Sequence, residues 1–93
     1  MRIYEVIWKD VFIEKLAAKH QVTIEEVETV LSTQSLFRKV QKGKKKGEDV
    51  YAAYGQTKTG RFLIVFFIRK YETSALPISA RGMTKSERKY YER

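Results

Sequence analysis

Hydrophobic and polar residues alternate along this chain with two different periods. Ile3-Tyr4-Glu5-Val6-Ile7-Trp8 is rich in β-branched and aromatic residues and predicts a first strand. Phe12, Ile13, Leu16, Ala17 and His20 then recur at helical spacing behind Asp10, which is placed to cap that helix. Thr23-Ile24-Glu25-Glu26 has the form of a capping box, and the helix behind it gathers Ile24, Val27, Val30 and Leu31 on one face. Both helices are short and one-sided, so both are expected on one face of a sheet.

Strands dominate the remainder. Leu36 to Gln41 reads as a short basic strand, Gln41 to Gly47 as an exposed turn, and Val50 to Gly55 as the next strand. Thr57-Lys58-Thr59-Gly60 is a turn signal. Phe62 to Ile68 is apolar at every position, the pattern of a strand buried on both faces, and should be central. Ala75 to Ala80 is the last strand, and Pro77 puts it at an edge or leaves one position unpaired. Thr84-Lys85-Ser86-Glu87 is a second capping box, opening a terminal helix through Tyr91. The expected order is βααββββα: an α+β fold with a mainly antiparallel sheet, two N-terminal helices and a C-terminal helix. At 93 residues, positions 1–93 are expected to form a single domain.

Composition excludes several classes of chemistry. Cysteine is absent and histidine occurs once, so disulfides, thiolate nucleophiles and Cys- or His-paired zinc are excluded; no metal or other cofactor is expected. Gly43 and Gly47 do not fit a phosphate-loop spacing, and no Gly-x-Ser-x-Gly elbow occurs. The longest apolar run is far shorter than the roughly 20 residues of a membrane span. The first residues lack a signal-like apolar stretch, so the expectation is a cytoplasmic protein without membrane contact.

Charge narrows the partner. Residues 1–35 hold four basic and six acidic side chains, a net of −2, whereas 36–93 hold fifteen basic and five acidic, a net of +10, which together give the overall +8. Such a field attracts polyanions, although a solvated surface would have the same composition. The densest signal is Ile78 to Arg88, where Arg81, Lys85 and Arg88 meet at a strand end and a helix start. These cations can converge on a phosphate, or Arg81 or Arg88 can pair with Glu87 and only fix the helix. Trp8 and Tyr54 read as core.

Several segments resemble one family. Lys19-His20-Gln21-Val22-Thr23-Ile24-Glu25-Glu26-Val27 is similar to the KHGVSFEEA segment of BrnT-type toxins, and Ile78-Ser79-Ala80-Arg81 to their ISAR stretch. Tyr54-Gly55-Gln56-Thr57, the Gly60-Arg61 turn and Glu87-Arg88-Lys89-Tyr90 follow in matching order from Trp8 to Tyr91. The resemblance implies the toxin of a bacterial type II toxin–antitoxin pair. It implies a RelE-like fold and metal-independent endoribonuclease activity that inhibits translation, blocked by an antitoxin from a neighbouring gene. The family's glycine after the histidine is Gln21 here, an arginine is replaced near Val50, and Trp8-Lys9-Asp10 stands for Trp-Asp-Pro.

On this reading RNA, free or on the ribosome, is cleaved by attack of its own 2′-hydroxyl. Arg81 is expected to stabilise the phosphorane, helped by Arg69 or Lys85. His20, Glu87 and Tyr91 are the candidates for proton transfer. Lys42, Lys44, Lys45 and Lys46, with Arg61 and Arg88, are expected to hold the RNA backbone. The alternatives are a non-enzymatic RNA- or ribosome-binding module, or an interaction protein for an acidic partner.

Overall fold

The computed structural model describes residues 1–16, 18, 21–33 and 36–93. The expected first strand shrinks to β1 (Glu5–Val6). It is followed by α1 (Asp10–Lys15), α2 (Ile24–Ser32), β2 (Leu36–Gln41), β3 (Val50–Gln56), β4 (Phe62–Lys70), β5 (Ser74–Gly82) and α3 (Lys85–Tyr91). Both capping boxes form: Thr23 and Glu26 exchange side-chain and backbone hydrogen bonds ahead of α2, as Thr84 and Glu87 do ahead of α3. The cap of α1 differs from expectation. Asp10 is its first helical residue and Lys9 is the N-cap, without a side-chain cap bond. Asp10 instead places its charge in the first turn, where the helix dipole favours an anion.

The sheet order is β1-β5-β4-β3-β2. β2 to β5 pair antiparallel, whereas β1 pairs parallel to β5 through Glu5↔Ser74 and Val6↔Ala75. β4 is therefore the middle strand, as its continuous apolar run requires. Its odd residues Leu63, Val65 and Phe67 join a large core beneath α1 and α2, built with Phe12, Leu16, Val27, Val30 and Leu31. Its even residues serve the opposite face, where Ile64, Ala52 and Tyr54 are buried and Phe66, Tyr90 and Tyr91 pack around them. Trp8 belongs to the first core, stacked on Phe12 at 5.6 Å with its indole N–H donating to Glu28.

Three positions show how the backbone is bent. Between Phe66 and Phe67 the register with β5 slips, so that Ser79 and Pro77 are paired and Ile78 is the extra residue. Pro77 thus sits beside an unpaired position, on a stretch of β5 that β1 does not reach. Gln21 adopts φ 50°, the left-handed geometry that glycine accepts without penalty. The β4–β5 turn places Tyr71 and Glu72 at φ 50° and 67° in succession. Hairpins ordinarily give such positions to Asn and Gly, and each non-glycine there costs of order 1–3 kcal/mol. No described helix is long and apolar enough to cross a membrane.

Candidate active site and basic face

The site is assembled where β5 runs into α3. Antiparallel register aligns Leu36, Tyr54, Ile64 and Arg81 in one cross-strand row, and Arg38, Ala52, Phe66 and Ser79 in the next. Both rows lie on the face that α3 covers. Arg38 and Arg81 flank the two inner strands, three strand spacings of roughly 4.8 Å apart and two residues out of line, about 16 Å in all. Between them Tyr90 packs 5.2 Å from Tyr54, and the Arg38 guanidinium lies 4.9 Å from the Tyr90 ring centre. Arg93 approaches the same ring at 5.8 Å.

Arg81 is gripped by the capping box. Its Nη1 and Nη2 donate to the two carboxylate oxygens of Glu87 at 2.7 and 2.8 Å, and Nη1 also donates to the Gly82 carbonyl. Its guanidinium rests 5.4 Å from the Phe66 ring centre. The pairing holds the Arg81 pKa above its ordinary value. Hydrogen bonding from Arg81 first, and from the Thr84 amide, brings the Glu87 carboxyl down from 4.5 to about 2. Glu87 is therefore ionised throughout ordinary pH, cannot donate a proton, and is too weakly basic for efficient proton removal. In this arrangement Glu87 is the partner of Arg81 rather than a free acid or base.

The pairing alone would make Arg81 a structural residue, but its donor inventory is not exhausted. A guanidinium carries five N–H groups, of which Glu87 and Gly82 engage three. Among the described residues, Nε–H and the second Nη2–H have no partner. They share one edge of the plane, the geometry that takes two phosphate oxygens at once. The side chain is 35% exposed. Arg81 is thus both fixed and available.

The other expected residues separate into groups. Lys85 is exposed in the first turn of α3, and Tyr91 sets its ring against Phe62 at 6.1 Å. Arg88 lies over the same Phe62 ring, 3.9 Å from its centre, with Nε donating to Glu92. Arg69 does not join them. It lies five residues beyond Ile64 on β4, about 17 Å along the strand, and its odd position points it to the opposite face. There it covers Tyr51 and donates to the Glu72 carbonyl, which corrects its expected partnership with Arg81. Arg61 is bound to Glu26 and to the Gln21 carbonyl, so it ties α2 to the start of β4. Lys42, Lys44, Lys45 and Lys46 are exposed on the β2–β3 loop. His20 lies outside the described residues.

Arg38 and Tyr90 were not legible as site residues. The alternation of Leu36-Phe37-Arg38 puts Arg38 on one side of its strand, but only pairing register reveals that this is the α3 side.

The Arg81–Glu87 pair has a consequence for acid stability. A carboxyl whose folded pKa is depressed contributes stability that is complete above its unfolded value near 4.5 and is lost as pH falls through about 2. Melting temperatures measured between about pH 5 and pH 2 should therefore fall more steeply for the native chain than for Glu87→Gln. Equal slopes would show that the pair contributes nothing to folding.

A family model described as the ribonuclease toxin BrnT of type II toxin–antitoxin systems matches residues 8–87. No curated protein matches the chain. The matched span runs from Trp8 in the first core to Glu87, and takes in all the strands of the site and its paired arginine. By that match the chain belongs to the BrnT family, the ribonuclease toxins of type II toxin–antitoxin systems.

Proposed function

We propose that this toxin cuts RNA in the bacterial cytoplasm without a metal ion, on a single RelE-like domain spanning residues 1–93, and thereby stops translation. The observation that carries the reading is the free edge of the Arg81 guanidinium, held in place by Glu87 and by the Phe66 ring. In the proposed reaction a 2′-oxygen attacks the adjacent phosphorus, the bond from phosphorus to the 5′-oxygen breaks, and a 2′,3′-cyclic phosphate remains. One proton leaves the 2′-hydroxyl and one is delivered to the 5′-oxygen. Arg81 would meet the charge developing on the non-bridging oxygens, where a preorganised donor is most effective. Arg38 and Lys85 would bind the flanking phosphates.

Glu87 is a positioning residue in this scheme. Proton transfer is assigned to His20 and Tyr91. The antitoxin that accompanies a type II toxin would be recognised by the same basic half that attracts RNA, and ribosome-bound message is the proposed target.

The test is cleavage of a labelled single-stranded RNA by the purified chain in excess EDTA. Activity should persist, the products should end in cyclic phosphate, and replacing the attacking ribose by deoxyribose should stop the cut. Complete loss under chelation, restored by magnesium, would overturn the mechanism. RNA bound at full affinity and never cut would favour the non-enzymatic binding module.

A further inference from the structure

A second cluster of cations lies at the far end of the sheet, away from Arg81. Lys42, Lys44, Lys45 and Lys46 ride on the β2–β3 loop, and Arg69 and Lys70 close β4 beside it. The acidic residues of this region are Glu48, Asp49 and Glu72. Asp49 is already occupied, accepting from the Gly43 amide at 2.7 Å and from Lys39 at 3.1 Å. The remaining balance is positive.

The β4–β5 turn stands against this cluster. Lys46, Arg69, Tyr51 and Tyr71 line a shallow concavity of about 260 Å³ together with the acidic Asp49 and Glu72, of which Asp49 is taken up by Lys39 and the Gly43 amide. Tyr71 is 86% exposed and makes no ring contact among the described residues, although it occupies a left-handed backbone position that favours glycine. Neither packing nor backbone geometry accounts for a tyrosine there. Arg69 fixes the turn by donating from Nε to the Glu72 carbonyl at 2.8 Å, and the turn closes further through the Thr73 amide and the Tyr71 carbonyl. The terminal nitrogens of Arg69 have no hydrogen-bond partner among the described residues. A presented aromatic ring beside unpaired cations is the arrangement that holds single-stranded nucleic acid, with a base on the ring and phosphates on the cations.

We propose that Tyr71, with Arg69 and the Lys42–Lys46 loop, forms a second RNA-binding subsite at the far end of the sheet, about 17 Å along β4 from the row that holds Arg81 and with Arg69 on the opposite face, so that a bound strand passes round the end of the sheet. It would stack one base of the substrate strand and hold the phosphates next to it. The inference rests on the chain acting on RNA, but not on which residues cut it. The subsite governs affinity and the placing of the strand, and leaves the reacting phosphate to Arg81.

Binding of a fluorescent 2′-O-methyl single-stranded RNA, which lacks the attacking hydroxyl, tests this apart from cleavage. Tyr71→Ala should weaken binding about 5- to 150-fold, the worth of one stacked base. Tyr71→Trp should retain it. Tyr71→Gly should weaken binding equally without lowering the melting temperature, because it removes a strained residue that packs against nothing. Replacing Lys44, Lys45 and Lys46 together by Gln should lower affinity and flatten its dependence on salt. On a cleavable RNA, Tyr71→Ala should raise KM and leave kcat near the native value. Unchanged binding by Tyr71→Ala while the native chain binds would overturn the subsite alone. Loss of antitoxin binding with RNA affinity intact would assign the patch to the protein partner and also overturn it. No RNA binding by the native chain would overturn both this inference and the activity on which it rests.

Discussion

Arg81→Ala should abolish growth arrest and lower RNA cleavage by about 100- to 1,000-fold, the usual loss when one preorganised donor to a transition state is removed. The fold should survive. Thr84 still caps α3 after the change, and the lost ion pair is partly solvated, with side-chain exposures of 35% and 20%; such pairs contribute up to about 1 kcal/mol. Affinity for RNA should fall much less than rate, because the free guanidinium edge is assigned to charge that develops during the reaction. Arg81→Lys should restore little, since an ammonium cannot span both Glu87 oxygens and two phosphate oxygens together. Cleavage and melting temperature measured on the same proteins decide the matter. A folded Arg81→Ala chain that still cuts RNA would remove Arg81 from the chemistry, and one that melts early but cuts normally when folded would make it a brace for α3.

Phe67→Ala should be among the most damaging changes to folding, costing about 3–5 kcal/mol. Phe67 is fully buried in the middle strand, edge-on to Phe37 at 6.0 Å and stacked on Tyr51 at 5.8 Å. A small domain has only about 5–15 kcal/mol in total, so the melting temperature should drop by roughly 12–40 °C. Ile64→Ala and Val65→Ala remove less volume and should cost about 1–4 kcal/mol each. Phe66 is the control: it is adjacent in sequence but only half-buried on the α3 face, and its truncation should cost less than that of Phe67. Amide exchange should be slowest along β4, and rapid exchange there would contradict its central place.

The strength of local signals explains what was readable beforehand. Phe62 to Ile68 announced the middle strand because an all-apolar run has few other solutions in a small α+β fold. Thr23-Glu26 and Thr84-Glu87 announced helix starts because a capping box is a contact between residues three apart. The N-cap of α1 was misplaced by one residue, where Asp10 offered a better capping side chain than Lys9. Long-range geometry was a different matter. Arg69 and Arg81 both end up on strand ends, and nothing in their neighbours says that the ends are opposite ones; that follows from the β4–β5 register. Arg38 reached the site through two successive pairings, β2 with β3 and β3 with β4, neither of which has a sequence signature. Glu87 was visible as a capping residue, but its hold on the Arg81 fork was one of two open possibilities until the side chains were placed.

The place of β5 between β1 and β4 has a bearing on synthesis. The first strand has no sheet to join until a segment 69 residues downstream is available, as the Ser74 hydroxyl donating to Glu5 illustrates. Contacts so distant in sequence carry a loop-closure cost and form late. The arginine fork comes later still, since Glu87 lies beyond the strand that holds Arg81. A chain emerging from the ribosome, or one released early by a premature stop before α3, would carry most of the basic residues without the assembled fork.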